Sequence, residues 1–111
     1  MDKTKATVDY DAENDQLSIE RVNSVVDSTL EFGDLIFDFD KNGIVCGIEF
    51  LAATKLLSIM FSDMKSADVQ SITGAKLSQR QAGNNIVVYF SLLSKNAVLE
   101  SSVPLPAIQT H

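Results

Sequence analysis

The sequence contains no tryptophan, one cysteine and one histidine among its 111 residues, and these shortages exclude several kinds of site. A single cysteine, Cys46, cannot form an internal disulfide, and it is typical of a protein kept in a reducing cytoplasm. The histidine is His111, the last residue, so a catalytic pair of serine or cysteine with histidine is not expected. One cysteine and one terminal histidine also cannot supply the ligands of a zinc site.

Long apolar runs and glycine-rich phosphate loops are absent as well. No stretch approaches the roughly 18 apolar residues of a membrane span, and the N-terminus MDKTKATVDYD lacks the apolar core of an export signal. Neither G-x-x-x-x-G-K-[ST] nor G-x-G-x-x-G occurs, so no phosphate-binding loop is indicated. We therefore predict a cytoplasmic protein that uses no cofactor and does not associate with a membrane.

Basic residues are scarce in the first half of the chain. Residues 1–50 contain twelve Asp or Glu and four Lys or Arg, whereas residues 51–111 contain three and five, for a net charge of −6. An acidic first half repels nucleic-acid phosphates, so we predict no DNA or RNA partner. The acidic surface favours cations or a basic partner, or it serves solubility alone.

The first half alternates apolar and polar residues in the manner of two β-hairpins. ATVDYD and QLSIER flank the polar turn AEND, and LIFDFD and IVCGIEFL flank Asn42-Gly43. Period-two alternation on both sides of a polar turn is typical of paired strands. We predict two N-terminal hairpins, with a short strand or an irregular crossing between them.

The Asn42-Gly43 dipeptide favours a two-residue type I′ turn, because both residues tolerate a positive φ. This turn fixes the register of the second hairpin and places Cys46 in the core as a small apolar residue. The predicted pairs on the apolar side are Phe39–Cys46, Phe37–Ile48 and Leu35–Phe50.

After the second hairpin the apolar residues change to helical spacing, and we predict one helix at about 52–64 packed on one face of the sheet. Its apolar stripe is broad, which suggests contact with the sheet and with the C-terminal strands or a second subunit. NIVVYFSLL is typical of a central strand within a C-terminal meander that Pro104 and Pro106 end. The predicted fold is a single α+β domain over residues 1–111 with a mostly antiparallel sheet.

Residues 38–49, DFDKNGIVCGIE, also fit the calcium-loop pattern D-x-[DN]-x-[DN]-G-x5-E. The metal ligands of this alternative are Asp38, Asp40, Asn42 and Glu49. Calcium requires its oxygen ligands at about 2.3–2.6 Å from one point, whereas each residue of a strand advances by about 3.3 Å. The period-two alternation before Asp38 favours strands. We therefore predict no metal site and no catalytic residues, with calcium binding as the alternative.

A second alternative is a carboxylate-based hydrolase. Asp38 and Asp40 would lie about 6.6 Å apart on one strand face, with Glu49 diagonally across. This spacing permits acid–base catalysis, and it equally describes a solvated polar face beside an apolar core.

Residues 10–20, YDAENDQLSIE, and residues 33–55, GDLIFDFDKNGIVCGIEFLAATK, resemble the domain-of-unknown-function family 2283 of small prokaryotic proteins. The matching residues are Tyr10, Asp11, Asp15, Leu17 and Ile19 in the first half of the pattern, and Ile36, Asp38, Asp40, Gly43, Gly47, Ile48, Glu49 and Leu51 in the second. The resemblance covers about residues 7–58 and leaves residues 66–111 as a strand-rich C-terminal part. It implies a β-rich fold with a helix after the second hairpin, and it assigns no activity.

The predicted sheet suggests a role in binding other proteins. Both hairpins present acidic residues outward, and an open sheet edge is a template for pairing with another chain. We therefore hypothesise a small, non-catalytic, intracellular protein-interaction module whose partner is another protein, including a second copy of itself as a homodimer.

Overall fold

The computed structural model describes residues 3–106, which form an eight-stranded antiparallel sheet and two short helices. In chain order the elements are β1 Lys5–Asp11, β2 Gln16–Arg21, β3 Ser28–Phe32, β4 Leu35–Phe39, β5 Val45–Phe50, α1 Ala53–Met60, α2 Ser66–Gln70, β6 Ile72–Ala82, β7 Asn85–Ser94 and β8 Val98–Pro106. The strand order across the sheet is β3-β4-β5-β2-β1-β6-β7-β8. The predicted antiparallel sheet is therefore confirmed.

The sheet curls into a half-barrel, and its concave face holds the apolar core. The largest fully buried side chains include Phe37 and Phe39, which alternate with half-buried residues along β4, and Phe50 at the end of the nearly continuously buried β5. The ring of Phe50 meets the ring of Phe90 on β7 edge to face, with their centroids 5.4 Å apart. Contacts of this kind hold the N-terminal strands and the C-terminal meander of the curled sheet against one core.

Two features join the N-terminal strands to the C-terminal meander. β1 and β6 pair through Lys5 opposite Lys76 and Ala6 opposite Ala75, which makes a short joint. Across the curl, the side chain of Gln79 on β6 bonds to the start of β5. Its Oε1 accepts the backbone N–H of Val45 at 2.6 Å, and its Nε2 donates to the carbonyl of Gly43 at 3.1 Å. The Gln79 amide thereby replaces a backbone partner that β5 lacks at this point.

We expect the substitution Gln79→Ala to lower the free energy of unfolding by about 1–3 kcal/mol. The reason is that the N–H of the buried Val45 loses its acceptor, and an unsatisfied buried donor carries a penalty of this size. Urea denaturation measures the change. The control is Ser78→Ala on the exposed face of the same strand, which should change stability by less than about 0.5 kcal/mol. Equal effects of the two substitutions would contradict the role given to Gln79.

The single helix predicted at about 52–64 forms in part: α1 covers Ala53–Met60, and a second short helix, α2, follows it. α1 ends at Met60, and the hydroxyl of Ser58 accepts the backbone N–H of Met64 at 2.8 Å, which turns the chain away from the helix axis. The carboxylate of Asp68 accepts the N–H of Lys65 at 2.9 Å at the start of α2. Among residues 3–106 no helix has the length and apolar character that a membrane span requires.

The broad apolar stripe around α1 is only partly covered. Ala53 and Leu57 are fully buried, and Phe61 packs against Phe90 of β7 at a centroid distance of 6.4 Å. The C-terminal strands therefore supply part of the cover that the stripe indicates. Ile59 stays 73% exposed.

The prediction that Pro104 and Pro106 end the last strand is also wrong, since β8 continues through both prolines to Pro106. β8 lies at one edge of the sheet. The backbone N–H of Ser94 donates to the carbonyl of Ala97 at the β7–β8 turn, which makes these two residues a hydrogen-bonded pair. Because hydrogen-bonded and non-hydrogen-bonded pairs alternate along an antiparallel ladder, the backbone nitrogens of residues 104 and 106 point away from β7. Proline loses no ladder hydrogen bond at such positions.

Candidate functional site

Asp40 organises the turn between β4 and β5, which spans residues 40–44. Its carboxylate accepts the backbone N–H groups of Asn42 at 2.9 Å and Ile44 at 3.0 Å. Its backbone N–H donates to the carbonyl of Ile44, and its carbonyl accepts the N–H of Gly43. Gly43 has a φ of +76°, whereas Asn42 has no positive φ. The turn is therefore a three-residue loop closed by a left-handed glycine, and the predicted type I′ turn is wrong.

The extra turn residue is compensated by a β-bulge in the β4–β5 ladder. The pairs Leu35–Phe50 and Phe37–Ile48 form as predicted, but Phe39 pairs with Val45 and not with Cys46. Cys46 is left between the two registers as the bulged residue. Sequence periodicity alone cannot show such an insertion, because it leaves the alternation on both sides unchanged.

Cys46 is fully buried, as predicted, but it lies outside the apolar cluster. Burial is the main reason that the pKa of its thiol is raised, and a hydrogen bond with Ser24 opposes this shift. Nearby carboxylates raise the pKa further, and they belong to Asp38, Asp40 and Glu20. The thiol therefore stays protonated and is a weak nucleophile in the folded protein.

Asp38 and Glu49 lie on the convex face of the sheet, where both are half-buried. Asp38 accepts a hydrogen bond from the hydroxyl of Thr29 at 3.1 Å. Gly47 lies opposite Asp38, and a Cβ atom at Gly47 would meet the Asp38 Oδ2 at 3.0 Å and the carbonyl oxygen of Ile19 at 3.3 Å. The glycine thus makes room for the carboxylate.

The structure does not gather the ligands of the calcium alternative, which are Asp38, Asp40, Asn42 and Glu49. Asp38 and Glu49 belong to extended strands, while Asp40 is engaged with the amides of its own turn. Within residues 3–106 no three Asp, Glu, His or Cys side chains are arranged to hold a metal ion. The pair of Asp38 and Asp40 on one strand face, which the hydrolase alternative requires, is not formed either, because Asp40 leaves the strand.

Asp15 connects the β1–β2 turn to the N-terminus of α1. Its carboxylate accepts the hydroxyl of Tyr10 at 2.6 Å, the hydroxyl of Thr54 at 2.7 Å and the backbone N–H of Thr54 at 3.1 Å. Its backbone carbonyl accepts the N–H of Ala53 at 2.9 Å. Asp15 has a φ of +53°, a conformation that aspartate tolerates better than most residues. A residue distant in sequence therefore caps α1.

The cluster formed by Asp15, Tyr10 and Thr54 (the Asp15 cluster) shifts the pKa values of two of its members. Burial, the largest single effect, acts to raise the pKa of Asp15. The hydrogen bonds from Tyr10 and Thr54 together have a greater effect in the opposite direction, so the net pKa of Asp15 is lowered. Burial and the hydrogen bond to Asp15 raise the pKa of Tyr10. The Tyr10 hydroxyl also lies 3.3 Å from the hydroxyl of Ser66 in α2. The cluster therefore joins the first hairpin to both helices.

Asp11 acts inside the first hairpin. Its carboxylate accepts the backbone N–H groups of Glu13 and Asn14 at 3.1 and 3.2 Å, and the side-chain amide of Asn14 at 2.7 Å. The hydrogen bonds from Asn14 are the main reason that the pKa of Asp11 is lowered. Three aspartates of the family pattern therefore stabilise local structure: Asp11 and Asp40 stabilise turns, and Asp15 caps a helix.

The outer edge of β3 has no neighbouring strand within residues 3–106. Gly33 and Asp34 form the two-residue turn to β4, and Gly33 has a φ of +62°. Phe32 and Leu35 close this turn as a hydrogen-bonded pair, so the ladder alternation directs the N–H and C=O groups of Thr29 and Glu31 toward the open edge. These groups have no strand on that side within residues 3–106.

Apolar side chains extend the surface beside this edge. Phe32 is 49% exposed at one end of β3, and Val25 is 80% exposed in the loop that leads into its other end. The same loop lines a crevice of about 510 Å³ together with the β4–β5 turn. Exposed apolar groups beside unpaired backbone are typical of a protein-binding surface.

The comparisons with known proteins agree with the motif residues described above. The family described as a protein of unknown function, DUF2283, matches residues 7–54, from β1 to the start of α1. The uncharacterised protein MJ0789 of Methanocaldococcus jannaschii is 33% identical over 99 residues, which are 89% of this chain and 85% of that protein. No solved structure matches the chain. Neither description assigns an activity, and the sequence relationship shows that the chain belongs to the DUF2283 family.

Proposed function

We propose that this chain is a small, non-catalytic, intracellular protein-interaction module that binds its partner by strand addition at the edge of β3. The observation that carries the proposal is the unpaired backbone of Thr29 and Glu31 between exposed apolar groups. Strand addition obtains affinity from main-chain hydrogen bonds and specificity from alternate side chains. The single free thiol, which is buried at Cys46, is consistent with a reducing cellular compartment.

The two edges of the sheet differ in a way that supports this assignment. At the β8 edge, Pro104 and Pro106 remove two outward N–H groups that another strand would need. β3 contains no proline, and its outward positions keep both donor and acceptor. One edge is thus protected against pairing, while the other stays competent for it.

The substitution Thr29→Pro tests the proposal, because it removes an outward N–H and keeps the backbone hydrogen bonds between β3 and β4, although it also removes the hydroxyl that donates to Asp38. We expect it to weaken association at least tenfold. Sedimentation measures self-association of the purified chain, and chemical crosslinking in source cells identifies protein neighbours attached to residues 25–32.

The matched control is Ser102→Pro, which places a proline at an outward position of the β8 edge and should leave association unchanged. Far-ultraviolet circular dichroism confirms that both variants keep the sheet. Association of the Thr29→Pro variant at the level of the unmodified chain would contradict the proposal.

A further inference from the structure

We propose that the strand which docks on β3 is β3 of a second copy, paired antiparallel about a two-fold axis with Leu30 opposite Leu30. This inference rests on the proposed function of the β3 edge and names its partner. The pairing would join two eight-stranded sheets into one continuous sheet.

The backbone of β3 suits this register. Thr29 and Glu31 carry the outward N–H and C=O groups, and the register places Thr29 of one copy opposite Glu31 of the other. Each such pair exchanges two hydrogen bonds, and the two-fold axis generates the pair twice. Leu30 then faces its symmetry mate as a pair without hydrogen bonds, where Cα atoms approach to about 4.5 Å.

Charge selects this register over its neighbours. A two-fold axis perpendicular to the sheet places the concave faces of both copies on the same side. The axis must then pass midway between the two copies of one residue of β3, and the registers compared are those centred on residue 29, 30 or 31. Centring on Thr29 places Glu31 opposite Asp27, and centring on Glu31 places two glutamates opposite each other. Like charges directly opposite destabilise a strand pair. Centring on Leu30 places each Glu31 opposite an uncharged threonine.

The side chains on the concave side of β3 also complement themselves in this register. Leu30 is half-buried against the core, and Phe32 is 49% exposed at the end of the strand. Pairing about Leu30 joins the two leucines and places each Phe32 opposite Ser28 of the second copy. The small serine leaves space for the phenyl ring, so the apolar surface of one core continues into the other.

Cysteine substitutions read the register directly. A mixture of Thr29→Cys and Glu31→Cys chains, distinguished by mass, should form a mixed disulfide under mild oxidation, because directly opposite residues lie within disulfide reach. The Thr29→Cys chain alone, which keeps Glu31, should crosslink at least tenfold more slowly, since residues two positions off-register are about 7–8 Å apart. Cys46 remains in all chains, and the unmodified chain controls for crosslinking through this buried thiol.

Two results would overturn the inference. One is a Thr29→Cys chain that crosslinks with itself as fast as the mixture does. The other is the absence of any crosslink together with a monomeric chain in sedimentation at millimolar concentration. If Thr29→Pro nevertheless abolishes binding to a different protein, the proposed function of the edge stands and the self-pairing is wrong. Mixed crosslinking and a concentration-dependent dimer together would support the two-fold arrangement.

Discussion

Replacing Asp15 by alanine should lower the free energy of unfolding by about 2–3 kcal/mol, although Asp15 lies in a turn. The carboxylate accepts hydrogen bonds from Tyr10 and from both the hydroxyl and the backbone N–H of Thr54. Loss of a helix cap alone costs about 1 kcal/mol, and the unpaired hydroxyl groups add to it. Alanine also fits poorly at the positive φ of this position. Urea denaturation at neutral pH measures the effect.

Two variants and the pH dependence separate this role from a general effect of charge. Asp15→Asn keeps an acceptor oxygen and tolerates the positive φ, so it should lose about half as much stability. Asp9→Ala removes an exposed carboxylate of β1 and should change stability by less than about 0.5 kcal/mol.

Because the pKa of Asp15 is lowered in the folded protein, its contribution is present above its unfolded-state pKa and is lost as the pH falls through the folded-state value. The unmodified chain should therefore lose stability more steeply below about pH 4 than the Asp15→Asn variant. Parallel pH profiles for the two proteins would contradict the assignment.

Replacing Gly47 by valine should destabilise the protein by about 3 kcal/mol. Even a Cβ atom at this position would lie 3.0 Å from the Asp38 carboxylate and 3.3 Å from the carbonyl oxygen of Ile19. The carbonyl belongs to the neighbouring strand β2 and cannot move without disturbing the ladder. Overpacking of this kind typically costs about 1–3 kcal/mol, and the two methyl groups that valine carries beyond its Cβ atom add to it. Thermal and urea denaturation measure the loss.

A double-mutant cycle tests the cause. Gly47→Ala should cost about 1 kcal/mol less in an Asp38→Ala background, where the nearest atom is removed. The control is Gly74→Ala in β6, since a Cβ atom there would meet only Leu93 atoms at ordinary contact distances of 3.7 and 3.9 Å. Additive effects at positions 38 and 47 would show that the carboxylate is not what excludes a side chain.

Alternation of apolar and polar residues was sufficient to predict the main strands. The alternation of Leu35 and Phe37 predicts their pairing with Phe50 and Ile48, because burial of one face fixes the register near the middle of the strands. It fails at the turn, where the Asp40 carboxylate favours a three-residue loop and Cys46 bulges to compensate. The three-residue loop and the compensating bulge depend on side-chain to backbone hydrogen bonds, which the alternation of apolar and polar residues does not reveal.

Long-range contacts explain the remaining differences. The cap of α1 comes from Asp15, which is 39 residues before Thr54. The side-chain acceptor for the first backbone N–H of β5 comes from Gln79, which is 34 residues after Val45. Neither pair has a local signal in sequence. The prediction that the prolines end β8 fails because a single sequence does not show that the last strand lies at an edge. The calcium pattern matched for a different reason, since its aspartates and glycines are also the residues that tight turns require.

The strand order has an electrostatic consequence. It places the acidic strands β1 to β5 on one side of the short β1–β6 joint and the slightly basic meander on the other, so the molecule carries an electric dipole across the sheet. β3 lies at the negative pole. Two copies that approach by their β3 edges repel each other electrostatically before contact. Dissolved ions screen this repulsion, so added salt should raise the rate constant of their association. A partner with a positive pole would be steered to the same edge.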